Sequence, residues 1–319
     1  MRCLVLGGGG HLGAAFCHHL ASAQHDVVAL GRRDTRPESL ADITRLHYQP
    51  VAMEGTHRDA QLDGYDLIVD AAAPYALEED ALDAALTRGQ TILDACARNR
   101  STLVHVGSFT VHTDADGLTG RALARLHPYF TLKRRLESQV LEADVDSVII
   151  NPTQALGPWD GRALPFALLP LLTREKIPFT ANQRLNVIDV RDVAAAGIAA
   201  ATRRQFRQPI LLAGHNVTLD LLFSRVAEMT GTRPPRWHAS AEAGAVLAFG
   251  AERMQRLLPR AAHYPSLGFV LLLSQQWLFP GPLQRRLGLP ITSLTKTLTD
   301  SLAWYAQRAD LSAALPPAR

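Results

Sequence analysis

Short runs of aliphatic and β-branched residues at positions 2–6, 26–30, 45–48, 66–70, 102–106 and 147–150 are separated by stretches at 11–23, 77–88, 91–98 and 129–143 whose apolar residues recur with helical spacing. Five or six residues is the usual strand length, and strands joined through a helix pair in parallel. The first half of the chain therefore predicts an α/β fold built on a doubly wound parallel sheet. After Asn151-Pro152 the rhythm fades: prolines recur at 158, 165, 170 and 178, and the apolar clusters follow neither period. A smaller, mainly helical C-terminal lobe is expected there, with 210–213 reading as one more strand that returns to the sheet.

A length of 319 residues fits about two domains of ~150 residues each. Hydrophobic residues make up 47% and charged residues 20%, so a large core can be buried without staples. Cys3, Cys17 and Cys96 are too few and too scattered for a disulfide framework or a zinc site, and a reducing, cytoplasmic setting is the expectation. Thirty-three Lys+Arg against 30 Asp+Glu leave a net charge of +3, dispersed rather than striped, which excludes nucleic acid as the expected partner. The first residues run from strand into glycines with no leader pattern. The apolar run 267–279 is interrupted by Ser274, Gln275 and Gln276 and falls short of the ~20 residues that span a bilayer, so it reads as lobe core and no transmembrane segment is expected.

The first strand ends in Gly7-Gly8-Gly9-Gly10-His11-Leu12-Gly13 and opens a helix. Glycine allows positive φ in such a turn and lets backbone N–H groups approach a pyrophosphate seated on the positive end of the helix. Gly7, Gly10 and Gly13 fit one dinucleotide spacing, G-x-x-G-x-x-G, while Gly8, Gly10 and Gly13 fit G-x-G-x-x-G; spacing alone leaves both open. This makes the sheet Rossmann-type and places residues 1–155, with 185–215 returning, in a dinucleotide-binding domain, and 156–184 and 216–319 in a substrate-binding lobe. At the end of strand two an acidic residue would hold the ribose 2′-OH of NAD, and an arginine would take the 2′-phosphate of NADP. The chain has Arg32 and Arg33 there, with Asp34 one place late, and the planar guanidinium fork suits a phosphate. NADP(H) is expected over NAD(H).

Ser108 follows the fifth strand, and Tyr129 and Lys133 open the next helix. Positions i and i+4 share a helix face, so both side chains point toward the carboxyl ends of the strands, where open α/β sheets bind ligands. A free tyrosine, with a pKa near 10, is a poor acid or base at neutral pH, but an adjacent ammonium favours its phenolate. Tyr129 can then pass a proton while Ser108 bonds a substrate oxygen. Y-x-x-x-K arises often by chance; here the chain has only three lysines, at 133, 176 and 296, and one lies four residues after a tyrosine.

Taken in order, these motifs resemble the extended short-chain dehydrogenase/reductase family, with its epimerases and dehydratases. Residues 4–13 look like its glycine turn, 66–73 its strand-four motif ending in paired alanines, and 104–111 its Ser-bearing strand; Tyr129, Lys133 and Glu137 match its active-site helix. Residues 151–158, 186–194 and 285–305 are similar to its later segments. The resemblance implies cofactor contacts from Gly7, Gly10, His11, Leu12, Gly13, Ala71, Ala72, Lys133, Asn151 and Pro152. Asn-Pro followed by Leu-Gly-Pro is most similar to the dihydroflavonol and cinnamoyl-CoA reductase branch, which implies NADPH-dependent carbonyl reduction with Ser108, Tyr129 and Lys133 as the catalytic residues. It also implies a homodimer through the helices at 91–98 and 129–143, the second of which carries an apolar stripe of Leu132, Leu136 and Val140.

Departures from the family pattern are specific. Leu86 stands where a proton-relay Asn is usual, Asp70 where His is common before the alanines, and Leu132 where a Ser often precedes the lysine. Tyr75, His112 and Gln154 are candidates for substrate contact. The remaining histidines lack metal-ligand spacing, and no G-x-S-x-G elbow frames Ser108, so neither a metal site nor a hydrolase triad is expected. Two other functions stay open: a nucleotide-sugar epimerase or dehydratase that recycles its NAD(P), which the arginine pair and Gln154 disfavour, and a catalytically silent NADP-binding regulator, which retention of Ser108, Tyr129 and Lys133 disfavours.

Overall fold

The computed structural model describes residues 1–51, 61–72, 79–111, 128–161, 179–180, 184–235, 237–238 and 277–308. In chain order the strands are β1 (Arg2–Leu6), β2 (Asp26–Gly31), β3 (Leu46–Pro50), β4 (Leu67–Asp70), β5 (Thr102–Val106), β6 (Ser147–Pro152), β7 (Gln154–Leu156), β8 (Phe179–Thr180), β9 (Arg184–Asp189), β10 (Pro209–Leu212), β11 (His215–Thr218) and β12 (Trp237–His238). The helices are α1 (His11–Ser22), α2 (Glu79–Asn99), α3 (Pro128–Glu142), α4 (Val190–Thr202), α5 (Leu219–Thr230), α6 (Pro282–Leu287) and α7 (Leu294–Gln307).

Seven strands form one sheet in the order β10-β6-β5-β4-β1-β2-β3, every pairing parallel. Chain order reverses between β1 and β4, which makes the carboxyl ends of these two strands the topological switch point, the place where such sheets bind ligands. The inner strands β1, β2, β4, β5 and β6 are buried on both faces, so they read as continuous apolar runs rather than alternating ones. On one face α1 and α4 cover Cys3, Val5, Val104 and Ile150 with Phe16, Leu20 and Val193. On the other, Ile92 and Cys96 of α2 and Val140 of α3 cover Leu4, Leu6, Ile68, Leu103 and Ile149. Each fully buried side chain of this size contributes roughly 1.5–3 kcal/mol, so the two layers fix the sheet firmly.

The strand at 210–213 is β10, which joins the main sheet beside β6. β9 instead pairs with β7 and β11 in a separate three-stranded sheet, and α5 and α7 cover that sheet with Leu222, Phe223, Val226, Leu298 and Trp304.

Two expectations need correction. The helices predicted at 77–88 and 91–98 are one 21-residue helix, α2, that runs through Gly89. A Cβ at Gly89 would lie 2.6 Å from Gln139 Oε1, so this glycine lets α2 and α3 approach closely and does not break the helix. The apolar stripe of Leu132, Leu136 and Val140 is buried within the chain: Leu132 and Leu136 pack on Ala85, and Val140 packs over the sheet. That stripe gives no support to a second copy. Among the described residues no helix is long and apolar enough to cross a membrane, and most of the run at 267–279 lies outside them.

Candidate active site

The glycine turn lies at the switch point, between the end of β1 and the start of α1. Gly7 adopts φ +72°, and a Cβ there would come within 2.8 Å of Ala72 Cα. At Gly13 a Cβ would sit 2.1 Å from the Gly7 carbonyl oxygen. These two glycines are demanded by the protein's own backbone. Gly10 N-caps α1 without a side-chain hydrogen bond, and the nearest atom to its Cβ would be the Gly7 carbonyl oxygen at 3.2 Å. Among the described residues no other atom comes within 4 Å of that Cβ, and its absence leaves the N-terminal end of α1 open as a cradle for a phosphate. Ala71 and Ala72, past the end of β4, back onto Gly7, with Ala71 N–H donating to Leu6 O (3.1 Å). The residues fit a dinucleotide on this structural ground.

The loop after β2 is exposed at Arg32 and Arg33. Tyr48 of β3 braces it by donating its hydroxyl to Arg33 O (2.8 Å). The two arginines are not equivalent: Arg33 donates to Gly161 O (2.9 Å), while Arg36 turns inward onto the carbonyls of Leu40 and Ile43. Trp159, from the same segment as Gly161, stacks on His18 of α1 with ring centroids 3.9 Å apart, so the 157–161 segment lies against the dinucleotide end of the sheet.

The other half of the site lies past β4 and β5. Ser108 is 7% exposed. Its backbone N–H donates to Asn151 Oδ1 (2.9 Å), and Asn151 Nδ2 donates to Glu137 Oε2 of α3 (2.6 Å). A Cβ on Gly107 would lie 2.0 Å from Asn151 Oδ1, so Gly107 makes room for this brace. The Ser108 hydroxyl accepts from Thr110 N (3.4 Å) and Thr110 Oγ1 (3.0 Å). With both lone pairs engaged, the hydroxyl hydrogen remains available to donate.

Lys133 is 2% exposed; its ammonium donates to Val106 O at the end of β5 (3.2 Å) and stands 5.8 Å from the ring centroid of Tyr129. Burial pushes its pKa down to about 8; Asp70 opposes that fall and Arg88 adds to it. Asp70 closes β4 within reach: Arg88 of α2 is 3.6 Å from its Oδ1, and His105 Nδ1 of β5 is 3.2 Å from its Oδ2. Burial alone would raise the Asp70 carboxyl, but Arg88, His105 and Lys133 hold it below the usual carboxylate range.

The structure thus brings Tyr129 and Lys133 together on α3 as the spacing implied, and seats the lysine one residue from the Gly107-Ser108 turn. Asn151 is fully buried with its side chain stretched between Ser108 and Glu137, so it braces the serine. Pro152 is buried beside it, Gln154 is half-buried in β7, His11 lines the start of α1, and Leu12 packs on the core. Tyr75 and His112 lie outside the described residues. Leu86 packs against the Ala85, Leu132 and Leu136 cluster and offers no polar group. Sequence reasoning missed Gly107, Thr110, Arg88 and the Asp70–His105 pair; the one signal for the last was the unusual Asp at the end of β4.

The chain matches the model of the NAD dependent epimerase/dehydratase family over residues 3–213. It is 26% identical over 323 residues to a candidate dihydroflavonol 4-reductase of a Synechocystis species, covering 94% of this chain and 93% of that one. Its fold is similar to the solved structure of a nucleoside-diphosphate-sugar epimerase from Pseudomonas aeruginosa (TM-score 0.71, 21% identity, 98% and 99% of the two chains). It is also similar to that of the Bordetella bronchiseptica enzyme WbmH in complex with NAD+ (TM-score 0.69, 16% identity, 96% and 98%). With its seven parallel strands, its glycine cradle and the Ser108, Tyr129 and Lys133 series in place, the chain belongs to the NAD-dependent epimerase/dehydratase family and is an enzyme of the extended short-chain dehydrogenase/reductase type that uses a nicotinamide cofactor.

Proposed function

We propose that the protein is an NADPH-dependent reductase of a small or medium ketone or aldehyde. The observation that carries this reading is the buried Lys133 ammonium between Tyr129 and the Ser108 turn, an arrangement suited to proton transfer onto a carbonyl oxygen. When bound, NADPH supplies the hydride to the carbonyl carbon. Ser108, whose hydroxyl hydrogen is left to donate, holds the substrate oxygen, and Tyr129 gives that oxygen its proton. Lys133 stabilises the phenolate left behind and hydrogen-bonds the nicotinamide ribose. Arg32 meets the 2′-phosphate; Arg33 serves it less directly, being held by Gly161 O. Residues 1–155 with 185–215 hold the cofactor, and 156–184 with 216–319 shape the substrate pocket.

The test is a screen of carbonyl compounds for NADPH oxidation, run beside nucleotide sugars incubated with NAD(P) and assayed for epimerised or dehydrated product. Consumption of NADPH with a carbonyl supports the reading. Sugar turnover without net cofactor consumption overturns it in favour of an epimerase or dehydratase. Tight NADPH binding with neither activity points to a silent regulator.

A further inference from the structure

We propose that Asp70 is the counter-ion that keeps Lys133 cationic, acting as a positioning residue within a buried cluster that joins β4, β5, α2 and α3. The proposal deepens the reading of Lys133 as the charged partner of Tyr129 and rests on it. Lys133 is buried, and among the described residues the acceptor its ammonium meets is a neutral carbonyl, Val106 O. An isolated buried ammonium loses its proton rather than keep an unscreened charge. A compensating anion has to lie close by, and the strand register supplies one: Asp70 pairs with His105 across β4 and β5, one residue before Val106.

Every charged or titratable group facing the pair can be assigned among the described residues. From α2, Arg88 lies 3.6 Å from Asp70 Oδ1, and Cys96 keeps its thiol neutral, burial foremost and Asp70 next pushing it up to about 12. From β5, His105 offers its Nδ1 to Asp70 Oδ2 at 3.2 Å and leaves its buried Nε2 without a hydrogen-bond partner. Past the end of β4, Ala72 N–H donates to Asp70 Oδ1 (3.3 Å). From α3, Tyr129 lies across the ammonium, and Glu137 is engaged by Asn151. Among the described residues the Asp70 carboxylate is thus the anion that faces both the partly buried Arg88, 3.6 Å away, and the buried Lys133, which lies beyond direct ion-pair contact on the carbonyl next along β5, and those cations oppose each other. Removing Asp70 and removing Arg88 should move Lys133 in opposite directions, a sign pattern that a purely structural tie between strands would not produce.

The experiment is NMR of the full-length, cofactor-free protein labelled only at lysine, which yields three resonances to titrate against pH; Lys133→Arg identifies the one of interest. In Asp70→Asn the Lys133 midpoint is expected to fall clearly below about 8, because removing a nearby opposite charge disfavours the cation. Asp70→Glu should restore it. An unmoved midpoint in Asp70→Asn overturns the proposal. Should that variant not fold, Arg88→Gln decides: a raised midpoint supports the counter-ion role, and an unmoved or lowered one overturns it. The measurement needs no substrate. A shifted midpoint in a protein that reduces no carbonyl would sink the reductase reading and leave the counter-ion assignment standing.

Discussion

The two ends of the proposed site are built on different physics. At the phosphate end the shape is set by backbone: a Cβ on Gly7 would strike the backbone of Ala71 and Ala72 after β4, and one on Gly13 would strike Gly7 and Gly8 of the turn itself. The charges there, Arg32 and Arg33, are exposed, and Arg33 is tied to Gly161 O. At the nicotinamide end the working groups are side chains buried among other side chains: Lys133 on Val106 O, Ser108 on Thr110, Asn151 on Glu137, and Asp70 between Arg88 and His105. Water screens charge at the first end and is excluded at the second. Substitutions at the chemical end should therefore disturb turnover more than binding, and those at the phosphate end should do the reverse.

The sharpest test of that division is Tyr129→Phe. Removing a general acid–base group typically costs 10²- to 10⁴-fold, so kcat for carbonyl reduction should fall by about that factor while NADPH affinity by calorimetry stays nearly unchanged. Near wild-type turnover would show that another group gives the proton. Lys133→Ala should lose both, because it removes the ammonium from the phenol and the ribose contact together. The same end should show pH dependence of one sign. Lys133 is protonated below about 8, and above that its charge is lost, so kcat/KM should be level on the acid side of this point and fall about tenfold per pH unit beyond it. A level profile through pH 9 would detach the lysine from the chemistry.

What could be read along the chain follows the same division. The glycine turn, the parallel strands and the Tyr129–Lys133 pair were legible because their logic is local: one turn, one strand run, one helical repeat. The division of α2 at Gly89 was misread because the reason for that glycine lies in Gln139, fifty positions away on α3. The Asp70–His105 pair was invisible without the register of β4 against β5, and the stripe on α3 could not be assigned to a partner or to its own sheet without the packing itself. Likewise Arg33 looked equal to Arg32 until its bond to Gly161, 128 residues later, set them apart.

Within the phosphate end, Gly13 and Gly10 separate folding from binding. Gly13→Ala forces a Cβ to within 2.1 Å of a backbone oxygen, an overpacking expected to cost ~1–3 kcal/mol and to lower the melting temperature by several degrees. Gly10→Ala meets, among the described residues, only the Gly7 carbonyl oxygen at 3.2 Å, a contact that a shift of a few tenths of an ångström relieves. Its melting temperature should therefore fall much less than that of Gly13→Ala, while its methyl group, on the face proposed to meet the pyrophosphate, should weaken cofactor binding. Thermal denaturation with and without NADPH distinguishes them. Equal loss of stability in both variants would mean that the turn is shaped by the fold alone.

The smallest effect should separate the two arginines. A charge-assisted hydrogen bond is worth roughly 1.5–3 kcal/mol, so Arg32→Ala should weaken NADPH binding by about tenfold or more and leave NADH binding nearly unchanged. Arg33 donates to Gly161 O, and a guanidinium already committed to a carbonyl gains less from a phosphate. Arg33→Ala should therefore cost NADPH less than Arg32→Ala does, and what it costs should fall on both cofactors alike, because its bond ties the 157–161 segment to the loop after β2 rather than to the 2′-phosphate. Calorimetric titration of both variants with both cofactors checks this. A loss confined to NADPH in Arg33→Ala would show that the bond to Gly161 yields to the phosphate, and wild-type protein that binds NADH as tightly as NADPH would remove the 2′-phosphate role from both residues.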